Sequence, residues 1–73
     1  MMERLFRYSL DHTRQIRMIW QDEDGTMRQS NVQVLSYDQT RVTCMVTRPK
    51  HEETIPLERV LAVDFRKGDD GTP

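Results

Sequence analysis

The sequence predicts a mainly β domain in which five short strands follow one N-terminal α-helix, and three observations predict it. The hydrophobic period changes from helical to two at Gln15. Beyond that point, turn residues and prolines recur at intervals of roughly eight to twelve residues, as in small bent sheets. Finally, the run from Ile55 to Phe65 stops one alternating strand at Pro56, turns tightly past Arg59, and launches another. Strongly curved β structures make their last corner in this way.

Each element follows from its own pattern. Residues 3–12 read as a short amphipathic helix, with Leu5, Phe6, Ser9 and Leu10 on one face and Arg4, Arg7 and Asp11 on the other. A helix this short is marginal in water and must dock on a sheet. In the first strand Ile16, Met18 and Trp20 share a face opposite Arg17 and Ile19. Asp22-Glu23-Asp24-Gly25 forms the hairpin, because Asp-Gly tolerates positive φ. The second strand, about 27–36, turns Val32 and Val34 inward, with Arg28 and Ser30 continuing that parity. Tyr37 to Thr40 turns the chain. The third strand, Arg41 to Arg48, sets Val42, Cys44 and Val46 against Thr43, Met45 and Thr47. Pro49 to Glu52 breaks it, Glu53 to Ile55 is a short fourth strand, and Val60 to Arg66 is the fifth. Residues 1–67 therefore read as a single domain, and 68–73, which contain no apolar residue, read as a disordered tail. The expected architecture is a small SH3- or Sm-like five-stranded barrel with a short N-terminal α-helix.

At 73 residues, with 36% apolar content, the core is small enough to call for a staple. Cys44 is the only cysteine, so a disulfide is excluded, and one Cys with two distant His does not close a zinc site. Self-association is the staple that remains. The lone thiol and the lack of an apolar leader point to a cytoplasmic setting, and no run of apolar residues suits a membrane.

The net charge of −1 argues against nucleic acid, but the distribution says more. Without Asp22, Glu23, Asp24, Asp69 and Asp70, eleven cations face seven anions, and nine of those cations are Arg. Guanidinium groups suit carboxylate, phosphate or ring stacking, although a solvated Arg-rich surface gives the same count.

Leu5…Ser9-Leu10…Ile16-Arg17-Met18-Ile19-Trp20 resembles the opening of the WYL domain, a short helix leading into an alternating strand that ends on an aromatic. Ile55-Pro56-Leu57-Glu58-Arg59-Val60 resembles that family's closing motif, and Val32 and Val34 fit its second strand, although Pro is usual in the family where Val34 stands. The likeness spans roughly residues 5–66. It departs from the family at Val42-Thr43-Cys44-Met45-Val46, where the naming Trp-Tyr-Leu triplet is missing, and at Glu53, where a basic residue is usual. No helix-turn-helix precedes the domain in this sequence. The resemblance implies an effector-sensing module of bacterial transcription regulators that binds nucleotides or single-stranded nucleic acid, with Arg59 as the retained site residue.

The candidate site residues each carry two readings. Trp20 is a stacking platform for a base or a half-buried aromatic that closes the core. Arg59 grips an anion, or else serves turn carbonyls, Glu58 or Asp64. Arg17, Arg28, Arg41 and Arg48 occur once per strand or strand end. On a common face they make a shallow anion site; dispersed, they guard edges against aggregation. His51-Glu52-Glu53 is too sparse for a metal, Asp22-Glu23-Asp24-Gly25 lacks the closing Glu of a calcium loop, and Cys44 reads as a small core residue. No catalytic constellation and no cofactor motif is present, so an enzyme is not expected. Two functions remain. One is a non-catalytic module for a small anionic ligand, a nucleotide or single-stranded nucleic acid. The other is an interaction protein acting through a homo-oligomer or a larger regulator protein, with Ile19, Met27 and Met45 as exposed apolar candidates. An Sm-like RNA ring is a third reading, opposed by the net charge.

Overall fold

The computed structural model describes residues 2–68. In chain order these form α1 (Met2–His12), β1 (Ile16–Gln21), β2 (Met27–Tyr37), β3 (Arg41–Thr47), β4 (Lys50–Pro56), a 3₁₀ turn (Leu57–Arg59) and β5 (Val60–Phe65). All five strands lie in one antiparallel sheet, ordered β4-β3-β2-β1-β5. The fold is mainly β with an N-terminal helix, as the periodicity predicts. The barrel is not closed, because the edge strands β4 and β5 do not pair.

The sheet nevertheless coils strongly. Four chain steps from Pro56 to Val60 reach at most about 14 Å, whereas the edges of a flat five-stranded sheet stand about 19 Å apart. The 3₁₀ turn joins those two edges directly, so the sheet must curl to bring them together. Pro56 ends β4 at this corner and has no N–H to offer a neighbouring strand.

Strict alternation places the core inside the resulting trough. Ile16, Met18 and Trp20 of β1, Val32 and Val34 of β2, Val42, Cys44 and Val46 of β3, Ile55 of β4 and Val60 of β5 are all buried. Register fixes their layering: Ile16 opposes Val32, which opposes Val46, and Val34 opposes Cys44. Two irregularities bend the sheet, one leaving Leu35 as an extra residue in β2 and the other leaving Leu61 extra in β5. The latter puts Leu61 outside the core, 50% exposed.

β4 is longer than the sequence suggests. It begins at Lys50, which pairs with Thr47, so Arg48-Pro49 alone forms a tight turn through a cis peptide bond. His51 and Glu52, expected in a loop, are therefore strand residues with a defined facing. The expected tail lies outside the described residues except for Gly68.

α1 covers one end of the trough. β1 starts only at Ile16, opposite Val32, so the β1-side edge of β2 beyond Val32 has no strand partner. The buried Ser9 hydroxyl takes its place, accepting from the Val34 N–H at 2.9 Å and donating to the Arg14 carbonyl. Phe6 packs beside it and meets Tyr37 at 5.7 Å between ring centroids, while Tyr8 meets the edge of Phe65 at 5.3 Å. Leu10, placed by the pattern on the buried face, is instead 40% exposed. The contact runs along Phe6 and Ser9, and Leu10 falls at its rim. The helix ends in a Schellman geometry: the Arg14 N–H donates to the Ser9 carbonyl at 3.1 Å, with Thr13 left-handed at φ 53°.

Two stability changes follow from this joint. Ser9→Ala strips a buried N–H of its acceptor and is expected to cost about 2 kcal/mol in denaturant unfolding. Thr13→Gly relieves a β-branched residue from the left-handed region. After subtraction of glycine's greater unfolded-state entropy, it is expected to gain roughly 0.5–1 kcal/mol, seen as a Tm higher by a few degrees.

Candidate functional site: the polar end of the trough

The inward alternation that is apolar beneath α1 becomes polar at the opposite end. The last inward residue of β1 there is Trp20 and the first of β2 is Arg28, its register partner. The last inward residue of β3 is Val46, followed beyond the strand by Arg48, while the first of β4 is His51, opposite Val46, and the next is Glu53, opposite Cys44. Because neighbouring strands run antiparallel, all four chain segments reach the same end. Trp20, Asp22, Arg28, Arg48, His51 and Glu53 line a cleft of about 330 Å³ there.

Trp20 forms the floor. Its side chain is 2% exposed, so it offers no open face for a base to stack on. It is a core residue with one polar edge. The indole Nε1–H donates to Glu53 Oε2 at 3.2 Å. The other carboxylate oxygen meets His51 Nε2 at 2.8 Å, while His51 Nδ1 lies within hydrogen-bond reach of the Pro49 carbonyl. The Glu53 carboxylate, then the Pro49 carbonyl, raises the His51 pKa above its ordinary 6.5, with Arg28 opposing weakly.

The arginines do not share one face. Arg17 points to the outer surface and pairs with Asp64 at 3.4 Å. Arg41 lies at the helix-covered end, 3.8 Å from Asp38. Arg28 is at the polar end with its Nε on Asp22. Arg48, in the β3–β4 turn, makes no ion pair or hydrogen bond among the described residues, and neither does Arg59. Arg59 lines a different cleft, of about 490 Å³, along the free edge of β4, with Asp22, Glu23, Asp24 and Glu53 around it. Only Arg28 and Arg48 are thus brought together, over Trp20. Arg17 and Arg41 are held elsewhere by their own acids, and Arg59 sits among carboxylates on the far side of the indole.

His51, Glu53 and Asp22 are the members of this end that the candidate set lacked. The signal for two of them was the alternation of His51, Glu53 and Ile55, legible only if β4 starts before Glu53. No group of three or more His, Cys, Asp or Glu suited to a metal occurs among the described residues. No helix among them is long and apolar enough to cross a membrane. Of the exposed apolar candidates, Met27 is 65% exposed, while Ile19 and Met45 are half-buried.

No protein-family model, curated protein or solved structure matches the chain.

Cys44 is fully buried among the core residues and carries no catalytic geometry. Burial, with the nearby Glu53 charge, pushes its thiol up to about 12. Native protein at pH 8 is therefore expected to leave an aromatic disulfide reagent unreacted, and denatured protein to release one thiol equivalent per chain.

Proposed function

We propose that this chain is a non-catalytic binding module that takes a small anionic ligand at the polar end of its trough. The observation that carries the reading is Arg48, a guanidinium without an ionic partner among the described residues, in one cleft with Arg28 and His51. The two carboxylates of the cleft are already engaged, Asp22 by Arg28 and Glu53 by His51 and Trp20. Arg48 is left with its full donor set for phosphate or carboxylate oxygens, and a partly protonated His51 adds to it. The strand order and the 3₁₀ turn before β5 support reading the sheet as an opened SH3- or Sm-like barrel. They also support the likeness to the WYL domain, in which ligand sensing serves a transcription regulator. The weight within the candidate set moves from Arg59, which stands among four carboxylates, to Arg48 and Arg28.

A second reading rests on the two unpaired sheet edges and on Leu61, half exposed beside one of them. In that reading the chain works by self-association or by docking on a larger regulator. Light scattering separates the two, since a concentration-independent monomer disfavours edge-mediated assembly.

Titration calorimetry with inorganic phosphate, a nucleoside monophosphate and a short single-stranded DNA tests the first reading. Arg48→Ala is expected to weaken phosphate or nucleotide binding by about 10-fold or more, the loss of a charge-assisted hydrogen bond. Arg17→Ala and Arg41→Ala should leave it unchanged. Absence of binding by the wild type, or an Arg48→Ala protein that binds as the wild type does, overturns the proposal.

A further inference from the structure

The His51 ring is held between two groups that only accept hydrogen bonds. Nδ1 faces the Pro49 carbonyl oxygen and Nε2 faces the Glu53 carboxylate. A neutral imidazole carries one N–H and can serve one of them; an imidazolium carries two and serves both. The same carboxylate receives the Trp20 indole N–H through its other oxygen. Among the described residues this is the one hydrogen bond between β1 and β4, strands separated in the sheet by β2 and β3. A half-exposed ring is thereby coupled, through one carboxylate, to the tryptophan that closes the core.

We propose that His51, Glu53 and Trp20 form a proton-controlled latch across the open end of the trough. The imidazolium pins the Glu53 carboxylate against the buried indole; loss of its proton removes the ion pair, leaves one N–H for two acceptors and loosens the β1–β4 tie. The latch needs no ligand and is independent of what the cleft binds.

Glu53 is the carboxylate in contact with the ring. Arg28 of β2 faces the same cleft and disfavours the imidazolium, but its Nε is held by Asp22 of the hairpin. Arg48 comes from the β3–β4 turn, Lys50 and Glu52 flank His51 along β4, and Arg59 approaches Glu53 only from the other cleft. The net effect is a folded-state pKa above 6.5, led by Glu53. The contribution is complete below about 6.5, the value for the unfolded chain, and is lost as pH rises through the folded value. The latch is shut in mild acid and opens on the alkaline side.

Trp20 is the only tryptophan, so its indole N–H gives a single unambiguous resonance. In ligand-free, full-length protein titrated from about pH 5 to 9, NMR should show His51 with a midpoint above 6.5 and the indole resonance moving with that same midpoint. His51→Gln, at an exposed position, should flatten the indole titration while leaving the fold intact. Glu53→Gln retains a carbonyl acceptor for the indole and should lower the His51 midpoint. His12 lies on α1 against Tyr8, at the other end of the molecule, and serves as the internal control. An indole resonance that stays still through the His51 titration, that follows His12, or that titrates unchanged in His51→Gln overturns the latch, as does a His51 midpoint at or below 6.5. A protein that binds no anion leaves every one of these readouts in place, so failure of the binding proposal and failure of the latch are distinguishable.

Discussion

The structure depends on the hydroxyl of Ser9. A coiled sheet with unpaired edges leaves its trough open at both ends, and a chain this small has no spare layer to cover them. At one end β1 starts late and abandons the N–H of Val34. Ser9 supplies the missing acceptor from a helix and, in the same contact, donates to the carbonyl of Arg14 that follows the helix C-terminus. A buried hydroxyl with both partners in place fixes helix and sheet to each other in a way that apolar contact alone does not. Phe6 and Tyr8 then have defined positions against Tyr37 and Phe65.

Once one end is sealed, the other becomes the place where the inner face can be polar. Inward positions near α1 are Val, Ile and Cys, while at the far end Arg28, His51 and Glu53 join Trp20 and Val46. Such a gradient along a single face of four strands is not required for burial, since a solvated end could equally well be short. It concentrates cationic donors where the trough meets water, which is where small β structures hold ligands. Of the other candidate arginines, Arg17 and Arg41 are paired with their own acids and Arg59 is separated by the indole. The clustering at the polar end therefore reflects the topology of strand ends, not the overall charge.

Much of this architecture was legible because period-two alternation is a direct readout of facing. Ile16-Met18-Trp20 and Val42-Cys44-Val46 are buried as the pattern demands, and the Asp24-Gly25 turn sits where its φ preference puts it, with Gly25 at φ 88°. The missed features are long-range. Nothing local to Pro49 announces that the turn before β4 is only two residues long, so His51 and Glu53 could not be given a facing from sequence. Leu10 matched a helical face, yet the actual contact line depends on where β1 begins on β2. The open edge between β4 and β5 likewise depends on curvature, which two bulges and a three-residue turn set together. For the arginines, sequence gave parity within each strand but not which end of the trough a residue occupies. That distinction separates Arg28 and Arg48 from Arg41.

The tie from Trp20 to Glu53 then answers a problem that openness creates. Hydrogen bonds of the ladder connect β1 to β4 only through two intervening strands, so the curl of the sheet is held by core packing and by contacts across the trough. An indole donor is well suited to the crossing, because its ring fills the floor while its single N–H must find an acceptor. A carboxylate in that role brings a charge to the margin of the core, where desolvation works against it. A donor on the solvent side offsets that penalty. His51 stands at that position, and a lysine there would remain charged at every physiological pH. With histidine, the acceptor of the β1–β4 tie is paired by a group whose charge follows the surrounding proton concentration. Neighbouring Arg48 and Arg28 experience the same change in local charge. The tie across the trough and the charge of the polar end thus meet at one carboxylate.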